Sequence, residues 1–267
     1  MKHHRIKPGS KVDLAALDAS ATPGARGGKK GALKLFAPLN QKLMVLQNRL
    51  WAEHGHKVLV VLQGMDTSGK DGTISHVFQG VNPMGVQVAA FKAPTAEELE
   101  HDFLWRIHAR APKSGEIVIF NRSHYEDVLA ARVRKLVPKE TWEARYRQIN
   151  DFEKLLADTG TVVLKFFLYI SRDEQKKRLQ ERLEDPQKRW KFRLGDLEDR
   201  KLWNDYVRAY EDALSRTSQD WAPWYVVPAN RKWYRNLVVA SVLVKTLEDL
   251  RLKQPEPPED LKGVVIE

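Results

Sequence analysis

The stretch VLVVLQGMDTSGKDG, residues 58–72, decides the fold of this chain. Five apolar residues at 58–62 predict a buried strand, and helical sequence follows the loop. Between them Gly64, Gly69 and Lys70 complete the pattern G-x-x-x-x-G-K, in which backbone N–H groups converge on a phosphate and the lysine bridges phosphoryl groups. An ordinary glycine-containing turn is the alternative. The flanking strand and helix favour a phosphate-binding loop.

This loop carries two carboxylates, Asp66 and Asp71. Beside phosphate oxygens each would cost about 1–4 kcal/mol of repulsion, but Mg²⁺ takes oxygen ligands from protein and phosphate together. Asp66 is therefore a candidate metal ligand. Asp71 either replaces the metal-binding hydroxyl of ordinary phosphate loops or lies as an acid in the first helical turn. The predicted phosphate contacts in the loop are Gly64, Thr67, Ser68, Gly69, Lys70, Asp71 and Gly72.

Short apolar runs alternate with helical patterns along the rest of the chain. The helical patterns include one that starts at Pro38 and ends near Gly55, and others at 97–110 and 141–158. Strands that are apolar on both faces and alternate with helices predict an α/β fold with a parallel sheet between two helical layers. The five predicted strands are 57–64, 86–91, 116–121, 161–170 and 224–228.

A second polar cluster, NRSHYED at 121–127, follows the third apolar run. Ligands bind beyond the carboxyl ends of parallel strands, so we expect this cluster to face the phosphate loop. Asp127 is then a second Mg²⁺ ligand, Arg122 neutralises a phosphoryl group, and Glu126 binds metal or orients an acceptor. Alternatively, Ser123 and Glu126 cap a helix start. The two interpretations are compatible.

The charged segment SRDEQKKRLQERLEDPQKRWKFR, residues 171–193, has nine Lys and Arg residues against five acids. Arg178 and Arg182 lie one helical turn apart on one face. After an Asp-Pro break, Lys188 and Lys191 gather beside a tryptophan. A solvated helix explains most charge runs, but basic residues at a break between helices are typical of a kinase lid that closes over phosphates.

Composition narrows the class of protein. Its 45 Lys and Arg against 35 Asp and Glu give a net charge of +10, which favours polyanionic ligands without choosing among them. Zero cysteines exclude disulfides and thiolate metal sites. No run approaches the length of a membrane span, and a cytoplasmic location is expected. The histidines show no metal-ligand spacing, and His124 is interpreted as a packing or hydrogen-bonding residue.

The chain is expected to form one large domain between two flexible ends. Residues 1–34 are basic and glycine-rich, which indicates a mobile N-terminal arm with some docking; packing on a neighbour or on the polyanion is the alternative. Residues 35–252 form the predicted kinase-like domain, with a helical lid at about 172–200. Residues 253–267 are proline-rich and indicate a tail.

Together these motifs resemble the polyphosphate kinase 2 family, a branch of the P-loop kinases similar to thymidylate kinases. The resemblance extends from about Pro38 to Leu250. It rests on GMDTSGKDG, FNRSHYEDVL, DPQKRWKF, the helix containing DRKLWNDYVRAYEDAL, and APWYVVPANRKWYRN, in that order.

The resemblance implies a three-layer kinase fold and reversible phosphoryl transfer between inorganic polyphosphate and nucleotides with Mg²⁺, with Mn²⁺ as an alternative ion. It implies a homo-oligomer, a dimer or tetramer, and neither a membrane nor a nucleic acid as a partner. Many members have Asp-Arg-Ser where this chain has NRS at 121–123, and an uncharged residue in place of Glu126. This pairing resembles the subclass that accepts both AMP and ADP, and GMP and GDP stay open. The implied site residues are Asp66 and Asp127 for Mg²⁺, Lys70, Arg122 and Asn121 near the phosphates, and Arg178, Arg182, Lys188 and Lys191 in the lid.

Two other functions compete with this one. The phosphate loop by itself fits an ATP-dependent nucleoside or nucleotide kinase equally well. The net charge and basic N-terminus fit a non-enzymatic module that binds nucleic acid or another polyanion, but such a module gives no reason for carboxylates in a phosphate loop.

Overall fold

The structure, a computed structural model, describes residues 2–256 and residue 264. The five predicted apolar runs form one parallel sheet with the strand order β2-β3-β1-β4-β5. The predicted parallel α/β sheet is confirmed. The strands are β1 (Lys57–Gln63), β2 (Val86–Ala90), β3 (Ile117–Asn121), β4 (Thr161–Tyr169) and β5 (Trp224–Pro228).

Ten α-helices and four 3-10 turns connect the strands within the described residues. The helices are α1 (Gly28–Glu53), α2 (Lys70–Val77), α3 (Ala96–Glu100), α4 (Trp105–His108), α5 (Ala130–Val133), α6 (Lys139–Asp158), α7 (Arg172–Glu184), α8 (Leu194–Lys201), α9 (Trp203–Thr217) and α10 (Lys232–Asp249). The 3-10 turns are Lys2–His4, Pro83–Gly85, His124–Asp127 and Arg189–Lys191.

The sheet separates two helical layers, each with its own apolar core. Alternate residues of β1 point to opposite sides: Val58 and Val60 pack with α1 and α10, whereas Leu59 and Val61 pack with α6 and α9. These four side chains are fully buried, and each contributes about 1.5–3 kcal/mol of hydrophobic free energy. The predicted three-layer arrangement is confirmed, and it fixes the end of β1 at the centre of the molecule.

Two local predictions were wrong. The strand β2 is an edge strand that pairs only with β3, and Val88 is 51% exposed, so β2 is not apolar on both faces. The helix predicted at 97–110 is two short helices, α3 and α4. The Asp102 carboxylate accepts a hydrogen bond from the backbone N–H of Leu104 (2.9 Å), and this local turn competes with helical hydrogen bonding.

The N-terminal segment, residues 2–27, is packed on the domain, which contradicts the predicted mobile arm. Leu14 is 1% exposed and lies in the core beside α9. Its backbone N–H donates to Glu211 (2.9 Å), and its carbonyl accepts from the hydroxyl of Tyr169 (2.9 Å). The prediction failed because charge and glycine content masked the apolar residues Val12 and Leu14. Helix α1 also begins ten residues before the predicted Pro38.

The N-terminal segment also covers the outer edge of the sheet. Arg5 forms an antiparallel bridge with Tyr225, and the N–H of Ile6 donates to the carbonyl of Trp224 (2.8 Å). Farther along, the carbonyl of Ala19 accepts from the N–H of Asn230 (3.1 Å). An uncovered edge strand is a template for aggregation, and here the chain protects β5 with its own N-terminus.

Only part of the predicted C-terminal tail can be compared with the structure. Most of 253–267 lies outside the described residues, and residues 253–256 have no helix or strand. Among the described residues, no helix is long and apolar enough to span a bilayer.

Candidate active site

The predicted phosphate loop joins β1 to α2, and its backbone conformation requires glycine at position 64. Gly64 has a φ of 152°, and a Cβ there would approach the Leu168 carbonyl to 2.8 Å, so only glycine fits the crossing of loop and strand. The hydroxyls of Thr67 and Ser68 are buried and have no hydrogen-bond partner within residues 2–256 and 264. Buried polar groups normally have partners, so these hydroxyls fit a loop that binds an oxygen-rich anion.

Lys70 begins α2, and its ammonium group lies against the loop. Its Nζ donates to the carbonyl of Gly64 (2.7 Å) and approaches that of Met65 (3.4 Å). Burial lowers the pKa of Lys70 to about 8; the Arg122 charge adds to this effect, and Asp66 opposes it. Lys70 is therefore a desolvated cation that gains electrostatic energy when an anion binds.

The pKa of Lys70 predicts a pH dependence of anion binding. Lys70 loses its charge in the free protein as the pH rises through about 8, so its contribution to tripolyphosphate affinity should fall by up to about tenfold per pH unit above that value. Calorimetric titration of wild type and Lys70→Ala from about pH 7 to about pH 9.5 measures this contribution as the ratio of the two affinities. Titration of the ligand cancels in the ratio. A ratio that does not change with pH contradicts the prediction.

Three charged side chains converge in a pocket at the end of β1, as predicted. Arg122 pairs with Asp66 (Nη2 to Oδ1, 2.5 Å) and lies 3.6 Å from the Glu126 carboxylate. All three line one pocket with Gly64 and Met65. The Glu126 charge raises the pKa of Arg122 above its ordinary value, so the guanidinium is always charged.

The backbone aims Arg122 into this pocket. Its φ of 61° is left-handed, a conformation that costs a non-glycine residue about 1–2 kcal/mol and often marks a functional position. Its N–H donates to the carbonyl of Leu62 (3.1 Å). The alternative capping role is present in part: Ser123 accepts from the N–H of Tyr125 (3.2 Å), whereas the Glu126 carboxylate faces Arg122.

Asp71 links the loop to β3 and to the lid. Asn121 donates to its Oδ1 (2.9 Å), and Lys191 lies 3.4 Å from its Oδ2. Although burial opposes ionisation, the hydrogen bond from Asn121 holds the pKa of Asp71 below its ordinary value. Asp71 lies in the first turn of α2, as one of the two interpretations expected. Of the predicted lid contacts, Lys191 is the one that pairs with a carboxylate of the loop.

Asp127 is not brought into this pocket. Its carboxylate pairs with Arg145 (3.0 Å), and burial raises its pKa. Among residues 2–256 and 264, no three His, Cys, Asp or Glu side chains are arranged to hold a metal ion. Asp66 lines the pocket and Asp127 does not; the joint Mg²⁺ site of Asp66 and Asp127 stays a prediction. The 3-10 turn at His124–Asp127 directs the two consecutive carboxylates to different neighbours.

A buried polar network anchors the loop that carries Arg122. The ammonium group of Lys165 donates to Glu153 (2.5 Å), to the Tyr125 hydroxyl (2.8 Å) and to the carbonyl of Thr217 (2.7 Å). His124 contacts Glu153 at 3.2 Å and is fully buried. His124 therefore has the packing and hydrogen-bonding role that the sequence predicted.

Arg178 was predicted to contact phosphate from the lid. In the structure its guanidinium instead lies beneath the loop and donates to protein acceptors. Arg178 is 6% exposed, and the five N–H donors of its guanidinium all have protein acceptors. They are Glu174 (2.7 Å), the carbonyls of Thr67 (3.0 Å) and Ser68 (3.1 Å), and the carbonyls of Ala229 (2.7 Å) and Asn230 (3.0 Å). No donor is left for a phosphate.

The remaining lid contacts differ in exposure. Arg182 bonds the Lys191 carbonyl and the Asp196 carboxylate (both 3.3 Å) and so holds the lid together. Lys188 is exposed and pairs with Asp185. The predicted break is confirmed at Asp185, where α7 ends.

Four further pocket residues were missed by the sequence reasoning. Gln175 donates to the Asp66 carbonyl (3.3 Å), and Tyr206 donates to Asp199 (3.0 Å). Burial raises the pKa of Tyr210 well above its ordinary value, with a contribution from Glu126. Helix α9 brings both tyrosines to the site, and sequence gives only an amphipathic helix there. The four residues are Gln175, Asp199, Tyr206 and Tyr210.

A parallel sheet of this order, with a phosphate loop between its central strand and α2, defines a P-loop kinase fold. In the pocket beyond the sheet Arg122 pairs with Asp66 and Glu126, and Lys70 bonds the Gly64 carbonyl at its edge. Cations and carboxylates without a histidine base are typical of a phosphotransferase site.

Similarity to known proteins identifies the family. The model of the family described as Polyphosphate kinase 2 matches residues 29–255, and the chain belongs to that family. It is 57% identical to the AMP/ADP-polyphosphate phosphotransferase of Meiothermus ruber, covering 100% of both chains. It is 43% identical to the ADP-polyphosphate phosphotransferase of Rhodopseudomonas palustris, covering 96% of this chain and 92% of that protein. The crystal structure of polyphosphate kinase 2 from Arthrobacter aurescens superposes with a TM-score of 0.94 at 45% identity, covering 98% and 93% of the two chains.

Proposed function

We propose that this chain transfers the terminal phosphoryl group of inorganic polyphosphate to AMP and to ADP. The observation that carries the proposal is the pocket beyond β1: Arg122, Asp66 and Glu126 line it, and Lys70 bonds the carbonyl of Gly64, which also lines it. The full-length similarity to an enzyme named AMP/ADP-polyphosphate phosphotransferase supports the choice of substrates.

Charge neutralisation by this chain's own side chains accounts for the chemistry. A phosphate oxygen of the acceptor nucleotide attacks the terminal phosphorus, and the bond to the next phosphate of the chain breaks. Lys70 and Arg122 stabilise the negative charge on the transferred group, and the loop N–H groups hold the chain in line. The acceptor oxygen is already ionised near neutral pH, so a general base is not needed.

We propose that Mg²⁺, or Mn²⁺ in its place, accompanies the phosphates. Mg²⁺ commonly uses one or two protein carboxylates together with phosphate oxygens and water, so two carboxylates of this chain and the bound phosphates would supply its ligands. Asp66 and Asp127 would be those carboxylates, and Glu126 lies in the same pocket as Asp66. The ion would add neutralising charge on the phosphoryl oxygens.

Asn121 is the basis for proposing that both a nucleoside monophosphate and a nucleoside diphosphate are accepted. Asn121 replaces a carboxylate that many family members carry, and it bonds Asp71 (2.9 Å) at the mouth of the loop. Removing one negative charge there lowers repulsion toward a second acceptor phosphate. Acceptance of GMP and GDP is an open part of the proposal.

An assay without ATP tests this function. AMP, long-chain polyphosphate and Mg²⁺ are incubated with the protein, and ADP and ATP are separated by chromatography over time. We expect ADP first and ATP after it. Parallel reactions contain ADP, GMP or GDP, and controls omit polyphosphate or replace it with ATP.

Two results contradict the proposal. Phosphorylation of AMP by ATP but not by polyphosphate indicates an ATP-dependent kinase. Tight, steeply salt-dependent DNA binding without any phosphoryl transfer indicates a nucleic-acid-binding protein. A homo-oligomeric state and a cytoplasmic location stay predictions; light scattering of the purified protein measures the first.

A further inference from the structure

A second buried arginine, Arg235, lies behind the phosphate loop on α10. It is 3% exposed and is not among the residues that line the pocket. Its Nη1 approaches the carbonyl of Ser68 at 3.4 Å. A Cβ built on Gly69 would lie 1.8 Å from the same nitrogen, and one on Gly72 would lie 3.3 Å from Nη2. Arg235 therefore packs directly against the turn from which α2 begins.

The hydrogen-bond partners of Arg235 are neutral. Its Nε and Nη2 both donate to the amide oxygen of Asn236 (3.0 and 2.8 Å), and no carboxylate pairs with it in the part of the chain that the structure describes. Arg178 differs, because its guanidinium bonds the Glu174 carboxylate (2.7 Å). Both arginines donate to the carbonyl of Ser68, so two guanidinium groups meet at one loop residue.

This arrangement concentrates positive charge on the loop. Burial lowers the pKa of Arg235 to about 10, and the Arg178 charge adds to the effect, so Arg235 is still protonated at neutral pH. The N-terminus of α2 contributes about half a positive charge at the same place. A buried charge without a counter-charge is costly. An anion bound on the pocket side of the loop supplies that counter-charge.

We propose that Arg235 is a positioning residue for phosphate-chain binding: a cation behind Ser68 and Gly69 whose counter-charge is the phosphate chain on the other side of the loop. It acts through the loop, because it orients the Ser68 carbonyl away from the anion and adds a fixed positive potential. This inference rests on the proposed function and adds a residue to its binding site. Arg235 lies within the motif APWYVVPANRKWYRN, but its contact with the loop depends on how α10 packs and could not be predicted from the sequence.

Three variants test the role of Arg235. Arg235→Met removes the charge, Arg235→Lys keeps it, and Lys232→Met removes an equal but exposed charge from the same helix. Tripolyphosphate affinity is measured by calorimetry, and thermal unfolding is measured in phosphate-free buffer. We expect tripolyphosphate to bind Arg235→Met about 10- to 100-fold more weakly, Arg235→Lys to recover most of the affinity, and Lys232→Met to bind like wild type. Because the relief of an uncompensated buried charge opposes the loss of the two hydrogen bonds to Asn236, the unfolding midpoint of Arg235→Met without phosphate should stay close to that of wild type.

The outcomes separate this inference from the proposed function. Unchanged affinity in Arg235→Met overturns it, whatever the unfolding midpoint does. If affinity and midpoint both fall in Arg235→Met, recovery of affinity in Arg235→Lys supports the Arg235 inference. Failure to recover shows that the effect is purely structural and overturns the inference. Wild-type protein that neither binds tripolyphosphate nor phosphorylates AMP contradicts both proposals, whereas wild-type transfer with unchanged affinity in Arg235→Met contradicts the Arg235 inference alone.

Discussion

Replacing Lys70 with alanine should lower the rate of phosphoryl transfer by at least about 1,000-fold, because one of two cations that neutralise the transferred group is lost. The fold should survive. The side chain contacts only the loop carbonyls of Gly64 and Met65, and removing a buried cation relieves its desolvation cost. The free energy of unfolding should change by less than about 1 kcal/mol.

The measurement combines steady-state kinetics with urea unfolding of the same preparations. Lys245→Ala is the matched control, because Lys245 is an exposed lysine that pairs with Asp249 on α10. We expect the control to retain wild-type turnover. Near wild-type turnover in Lys70→Ala would falsify the assignment of Lys70 to the transferred phosphate.

Replacing Gly69 with alanine should lower phosphoryl transfer by at least about 100-fold and reduce the free energy of unfolding by about 2–4 kcal/mol. Two costs add. The φ of 104° at Gly69 is unfavourable for alanine, and its Cβ would lie 1.8 Å from Nη1 of Arg235. Arg235 is buried and bonded to Asn236, so its guanidinium or the loop must shift, and either shift should disturb the N–H groups proposed to bind phosphate.

Gly160→Ala separates the two costs. Gly160 follows α6 with a φ of 89°, and a Cβ there meets no atom within 4 Å. The variant therefore carries the backbone penalty of about 1 kcal/mol without the clash and far from the pocket. Equal losses of stability in the two variants, or normal turnover in Gly69→Ala, would show that contact with Arg235 does not hold the loop in place.

The sheet and the phosphate loop could be predicted because short-range patterns determine them. Runs such as 58–62 are apolar on both faces, and glycine spacing around Lys70 is a local signal. The meeting of Asp66 with Arg122 was also predictable, since parallel strands bring their carboxyl ends together.

Contacts that depend on tertiary packing could not be predicted. Arg178 and Lys191 are both basic residues of one charged segment, yet the first is buried under the loop and the second faces Asp71. Likewise Glu126 and Asp127 are adjacent acids, and only the 3-10 turn decides which one enters the pocket. In each pair the two residues have the same charge and lie in the same segment, so the path of the backbone decides which of them reaches the pocket or the loop surface.

The N-terminal segment has a consequence for how this chain folds during synthesis. Residues 2–27 are synthesised before the rest of this domain, but Leu14 docks on Glu211 and His4 on Tyr234, 197 and 230 residues later. At about 5–20 residues per second, the first apolar side chains wait roughly 10–40 s for their partners. Vectorial folding from the N-terminus is therefore excluded for this part of the domain, and chaperones that bind nascent chains have a long interval in which to act.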